Sequence, residues 1–415
     1  MVSARCAAPA DAADPGSRAP ASAPLHGLRI IDLSRYLPGP LATRILADLG
    51  AQVLKIEEPK RGDPTRWTKP QVPGTHTSSL SALLLAGHRS VALDLKQAAE
   101  REVLLVLLAD ADVLVESLRP GTLARLGLDP EALRVRFPRL VLCSISGFGQ
   151  QGPHAQRVGH DLTYQALAGA LASRPVPPAV QVADIAGAWS AATAICAALV
   201  RRGESGQGCW IDQALSDAAG HAALTAWAEE VAGAKAVGES LTLTGAAPCY
   251  NVYATREGGF FALAALEPRF WRRFCVAVDH AAWIPQQFSR DPEIRRQVAA
   301  LFAAHNREHW RALFVGHELP GEPVLSLSEA REQAQNALRA MVRAGADGLP
   351  RLAYPALLDG QRPRSADAVP ALGGDTEATL AAHGMALPRW QRRRWATLVR
   401  GWLAGLAGRW SADSD

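Results

Sequence analysis

The sequence predicts an α/β protein: a parallel sheet covered by helices, with a smaller α/β region after it. Three observations carry that expectation. Short apolar runs alternate with helical patterns from Leu28 to Ile145, as strands joined by crossover helices do. The composition is that of a globular chain, 48% hydrophobic and 20% charged. At 415 residues the chain exceeds what one simple core holds, so two domains are expected.

The elements follow in order. Leu28–Leu33 is a short apolar strand, broken by proline and glycine over Arg35–Pro40. Leu41–Leu49 puts Leu41, Ile45, Leu46 and Leu49 on one helical face, and Gln52–Glu57 reads as the next strand. No G-x-G-x-x-G lies between them, so a dinucleotide site is not expected. Val91–Leu95 is a strand, Ala98–Ala109 a helix, Asp112–Glu116 a strand, Glu131–Arg136 a short helix and Leu140–Ile145 a strand. The glycine-rich loop Gly147–Pro153 follows that last strand directly. It therefore falls on the carboxyl edge of the sheet, where ligands bind in such folds. Trp189–Val200 is an Ala-rich helix stopped by the basic and glycine-rich Arg201–Gly208. Trp210–Ala219 and His221–Val231 read as further helix.

The pattern changes near Gly238. Cys249–Ala254 and Gly259–Leu266 look like two strands joined across Arg256-Glu257-Gly258, and Pro268–Val278, Pro292–Ala304 and Glu308–Phe314 are helical. The expected organisation is a tail over 1–24, a large domain over 25–215 and a linker helix over 216–239. A small domain over 240–325 and a return segment over 326–415 complete it. The tail is rich in Ala, Pro, Ser and Asp, the composition of a disordered segment rather than a signal peptide. The chain ends in an amphipathic Trp/Arg pattern over Trp390–Trp410, read as a helix packed on the body.

The net charge of +4 is small for this length and argues against a dedicated nucleic-acid binder. The six cysteines form no C-x-x-C pair and read as buried thiols, which predicts a reducing, cytoplasmic location and no metal site. No uninterrupted apolar run reaches 18 residues, so no membrane span is expected.

The chemistry concentrates between Gly147 and Arg201. Gly147-Phe148-Gly149-Gln150-Gln151-Gly152-Pro153 is followed by Gly159-His160-Asp161 and then Ala183-Asp184-Ile185-Ala186-Gly187. An imidazole and two carboxylates near one glycine loop supply two proton-transfer groups and a nucleophile.

These motifs resemble the family III CoA-transferases (CaiB/BaiF) and, within them, the α-methylacyl-CoA racemases. The likeness extends over about 25–385. Gly27-Leu28-Arg29-Ile30-Ile31-Asp32-Leu33-Ser34, Pro38-Gly39-Pro40, Glu116-Ser117-Leu118-Arg119-Pro120-Gly121 and Leu266-Glu267-Pro268-Arg269-Phe270 all fit. The resemblance implies a Rossmann-like large domain made from both chain ends and a homodimer of interlocked rings. It also implies an acyl-CoA substrate and no separate cofactor, coenzyme A being part of the substrate.

Racemisation needs one group to take the acidic α-proton of the thioester and another to return one on the opposite face. His160 and Asp184 are assigned those places. Asp184 is expected just before the Trp189 helix, whose amides would favour its ionised form. By resemblance Glu267 lies near Asp184. Backbone amides, from the helix start or the loop of Gly147 and Gly149, would hold the enolate oxygen. The alternative is the transferase reaction, in which Asp161 attacks the thioester and forms a mixed anhydride. A third reading is a catalytically silent acyl-CoA-binding relative. Lys55, Arg89 and Arg119 occupy positions that match the family's CoA phosphate contacts. Leu85-Ala86-Gly87-His88 departs from the family's Asn-Arg-Gly-Lys.

Overall fold

The structure is a computed structural model and describes residues 23–75, 77–233, 242–345, 347–366 and 368–385. Residues 1–22 of the tail, 234–241 at the junction of the linker with the small domain, and the Trp390–Trp410 pattern lie outside the described residues.

In chain order the first part runs β1 (Arg29–Asp32), α1 (Pro38–Asp48), β2 (Gln52–Glu57), α2 (Ser79–Leu84), β3 (Arg89–Ala92), α3 (Ala98–Ala109) and β4 (Val113–Glu116). Two short helices follow, α4 (Thr122–Arg125) and α5 (Pro130–Arg136), then β5 (Val141–Ser146). The next elements are α6 (Asp161–Leu167), α7 (Val182–Ser205), β6 (Trp210–Ala214), α8 (Leu215–Ala222) and α9 (Leu224–Val231).

The six strands form one sheet in the order β3-β2-β1-β4-β5-β6. β1 pairs in parallel with β2 and β4, β2 with β3, and β4 with β5. This is a doubly wound order, with its switch point between β1 and β4. The strands are apolar because both faces of a parallel sheet are covered. Ile31, Ile56, Val91, Leu114 and Leu142 pack with Leu104, Leu107 and Leu108 of α3 in one buried cluster.

Two contact-defined units divide the chain. The first takes the described residues of Met1–Ile145, Ala191–Asp212 and Ala344–Asp415; the second takes Ser146–Ser190 and Gln213–Arg343. In the second unit β7 (Tyr250–Ala254), β8 (Phe260–Ala264) and, further on, β9 (Gly321–Pro323) make an antiparallel sheet in the order β7-β8-β9. Between β8 and β9 come α10 (Pro268–Ala277), α11 (Pro292–Ala303) and α12 (Arg307–Gly316). Their core is aromatic: Phe261, Trp271, Phe274, Phe302, Trp310 and Phe314 are all buried in one cluster. Phe302 lies at its centre, with ring centroids at 4.8 Å from Tyr253 and 4.5 Å from Trp310.

Two expectations are corrected and a third is qualified. Trp210–Ala219 is not one helix: Trp210–Ala214 is an edge strand of the sheet, and the helix starts at Leu215. The helix expected at Trp189 begins at Val182, seven positions earlier (189 − 182), so Asp184 lies inside its first turn. That longer helix also qualifies the membrane reading. Among the described residues, Val182–Ser205 is one helix long and apolar enough to cross a membrane. One side of it packs: Ala183, Ala188, Ala191 and Ile195 are fully buried, while Val200 is exposed.

Candidate functional site

The chemical groups of the second unit gather where α6 and α7 begin. α6 starts at Asp161, with His160 as its N-cap residue. The Thr163 hydroxyl receives the His160 amide at 3.0 Å and donates to the His160 carbonyl at 2.7 Å, which fixes the backbone there. His160 itself is exposed.

Upstream, the chain is shaped around Tyr164. Its hydroxyl donates to the Gly159 carbonyl at 2.6 Å. A Cβ at Gly147 would meet the Tyr164 ring at 2.5 Å and one at Gly159 would meet it at 2.6 Å. Both glycines are therefore required by close approach rather than by backbone conformation. Phe148 meets Tyr164 edge-on at 5.1 Å, and Gly149 turns the loop with φ at 85°. The Gly147 carbonyl accepts the Ser216 amide at 3.0 Å, tying the loop to the start of α8.

Asp161 is buried, and both of its carboxylate oxygens are engaged. Oδ1 accepts the backbone amide of Asp184 at 3.1 Å, and Oδ2 accepts the side-chain amide of Gln165 at 2.5 Å. Asp161 thus satisfies an amide that the first turn of α7 leaves without a partner in its own helix. The same contact places two carboxyl groups side by side. Burial first, and the Asp161 charge second, push Asp184 up to about 7. This reverses the expected effect of the helix start, because no cation offsets the two: among the described residues no salt bridge reaches Asp161 or Asp184. Burial, with the Asp184 and Asp161 charges, also pushes the Tyr164 phenol up to about 12, so Tyr164 stays a hydrogen-bond donor.

His160, Asp161 and Asp184 are thus brought together. Glu267 is exposed at the N-cap position of α10, and no described hydrogen bond or ion pair joins it to Asp184. A cleft of about 740 Å³ lies along α10, lined by Pro268, Arg269, Arg272, Arg273, Val276, Ala277 and His317. It contains none of the three grouped residues.

In the first unit the three expected phosphate contacts have different surroundings. Lys55 is wholly enclosed, at 3.2 Å from Asp32 and 3.0 Å from Asp63, and it donates to the Ser34 carbonyl at 2.8 Å. Its charge is answered internally, so it presents nothing to a ligand. Arg89 opens β3 at the amino edge of the sheet and pairs with Asp375 at 3.3 Å and Thr379 at 3.1 Å. Arg119 is exposed in the turn after β4, at the carboxyl edge. There the Arg35 amide donates to the Ser117 hydroxyl at 2.8 Å, linking the turns after β1 and β4 across the switch point. Tyr36 stands in the same turn, exposed and with φ at 65°. The run Arg35-Tyr36-Leu37-Pro38 directly after a strand was the sequence signal for that aromatic. The signal for Gln165 was its spacing of four from Asp161 on one helical face.

His88, from the segment that departs from the family, is buried. Burial and the nearby Lys55 and Arg44 charges hold it well below the usual imidazole range, so it is neutral.

The doubly wound sheet thus carries a glycine loop after β5, and the chain beyond it supplies a His-Asp pair and a second, raised carboxyl. The chain belongs to CoA-transferase family III, whose model matches residues 25–376. It is 32% identical over 374 residues to an alpha-methylacyl-CoA racemase from Mus musculus, a match covering 87% of this chain and 93% of that protein. It is also 32% identical over 327 residues to a succinyl-CoA:glutarate CoA-transferase from Mus musculus, covering 75% and 74%. The crystal structure of a CAIB/BAIF family protein from Brucella suis superposes with a TM-score of 0.77 at 27% identity. That match covers 87% of this chain and 99% of the other.

Proposed function

We propose that this chain removes and returns the α-proton of an acyl-CoA thioester, epimerising a 2-methylacyl group. The observation that carries the reading is the Asp184 carboxyl, held up at about 7 beside Asp161 and near His160. A group that is half ionised at neutral pH serves as base in one direction and acid in the other. In this reading Asp184 takes the proton from one face of the α-carbon. The electron pair moves onto the thioester oxygen, and His160 delivers a proton to the opposite face. Backbone amides of the loop at Gly147 and Gly149 hold the enolate oxygen. Glu267 is assigned to orient Asp184, and the working unit is taken as a homodimer of interlocked rings.

CoA is placed at the switch point of the sheet, with Arg119 toward a phosphate and Tyr36 toward the nucleotide. The five described cysteines are all free, which supports a reducing, cytoplasmic setting.

The competing reading is CoA transfer, with Asp161 attacking the thioester. Its support is the 32% identity to a transferase, equal to that with the racemase. Against it stands the engagement of both Asp161 oxygens. Incubation with a chiral 2-methylacyl-CoA in deuterium oxide separates the two. Deuterium at the α-carbon with loss of optical purity is expected. Movement of CoA to an added carboxylic acid, with no deuterium incorporated, would overturn the proposal in favour of transfer. Binding with neither outcome would leave a silent relative.

A further inference from the structure

Gln165 is 2% exposed and lies one helical turn after Asp161 on α6. Burying a primary amide is costly unless its donors and acceptors are met, and this one meets a carboxylate at 2.5 Å. The partner carboxylate uses its second oxygen for the amide of Asp184 at 3.1 Å. The result is a three-residue chain, Gln165 to Asp161 to Asp184, in which only one orientation of the Asp161 carboxylate satisfies both neighbours. An apolar side chain at 165 would fill the same space on α6 without dictating that orientation.

We propose that Gln165 is a positioning residue that locks the Asp161 carboxylate against the first turn of α7. Asp161 is thereby kept as a fixed negative neighbour of the proton-transfer group Asp184. Without the Gln165 donor the Asp161 carboxylate gains rotameric freedom and spends less time beside Asp184. That weakens the negative field at Asp184. The other titratable groups around this cluster are His160 and Tyr164 on α6, His154 and Arg157 in the preceding loop, and Asp217 and His221 on α8, which packs against α6. Burial and the Asp161 charge are what raise Asp184. The assignment rests on the proton-transfer reading for its catalytic meaning, but its geometry is independent of it.

The test is a carboxyl ¹³C NMR titration of the full chain labelled at aspartate, with the Asp184 signal assigned by its loss in Asp184→Asn. Gln165→Met, which keeps length without a donor, should lower the Asp184 midpoint by roughly one pH unit. If that variant does not fold, Gln165→Asn keeps the polarity but withdraws the donor, and the same downward shift is expected. A wild-type midpoint in whichever variant folds would overturn the proposal. Where wild-type protein incorporates deuterium, the pH profile of exchange should move with the NMR midpoint. A merely structural role would cut its amplitude without moving it. Absence of deuterium incorporation by the wild type would sink the proton-transfer reading alone, because the titration still reports on Gln165.

Discussion

Two carboxylate clusters in this molecule differ in whether cations answer their charge. In the first unit Asp32, Glu57 and Asp63 surround Lys55 and Arg66. Burial alone would push Glu57 up, but two 2.7 Å contacts from Arg66 and a hydrogen bond from Ser90 outweigh it, and its carboxyl is held below the usual range. Burial works likewise against the charge on Lys55, and Asp32, Asp63 and Glu57 more than restore it. In the second unit Asp161 accepts the Asp184 amide, among the described residues no salt bridge reaches either carboxylate, and burial with the Asp161 charge pushes Asp184 up to about 7. The residue types are the same; the counter-charge decides. Carboxylates that cations answer stay ionised on burial, whereas the unanswered Asp184 is pushed toward its protonated form.

Removing the balancing cation should convert the first kind of cluster into the second, at a large cost. Lys55→Met leaves Asp32 and Asp63 buried without their ammonium, a loss of about 3–5 kcal/mol. A marked drop in melting temperature at pH 7 is the expected result. A variant as stable as wild type at pH 7 would break the comparison.

Asp184→Asn tests the other side. α-Proton exchange should fall by roughly 10²–10⁴-fold, as for loss of a general base. Stability should move the opposite way. The folded protein holds the Asp184 proton more tightly than the unfolded chain, whose carboxyl ionises near the ordinary aspartate value of 3.8. Folded stability therefore declines as the pH rises from about 4 to about 7, and the penalty is fully present above that window. Asp184→Asn removes it. The variant should melt higher than wild type at pH 8 by up to about 3 kcal/mol, with the difference closing toward pH 4. Equal melting curves at both pH values would show that Asp184 is not perturbed.

Much of this fold was legible because its signals are local. Ala98–Ala109 and Gln52–Glu57 have the expected bounds, since one carries helical periodicity and the other an apolar strand pattern flanked by turns. Trp210–Ala214 was misread because its strand state comes from pairing at the sheet edge, which nearby residues do not encode. The site divides in the same way. His160, Asp161 and Asp184 were legible as motif residues. Their electrostatics were not, because the Asp184 charge depends on a carboxylate 23 positions away in the chain. Lys55 was assigned to phosphate for a similar reason. A lysine in a strand gives no notice that Asp63, beyond the next turn, encloses it.

The smallest effects concern how the unbalanced cluster is held. Tyr164 stands between Gly147 and Gly159 and hydrogen-bonds the carbonyl just before His160. Tyr164→Phe keeps the ring and removes that bond, so about 1 kcal/mol of stability should be lost. Exchange activity should fall only a few-fold, because the Thr163 hydroxyl still ties both ends of the His160 backbone. Gly159→Ala should do more, about 1–3 kcal/mol, because its methyl meets the ring at 2.6 Å and either the ring or the His160 backbone must shift. Chemical denaturation of the two variants gives their order. If Gly159→Ala were the milder, the ring would not be wedged between the glycines, and the alignment of His160 with the acid pair would rest on Thr163 alone.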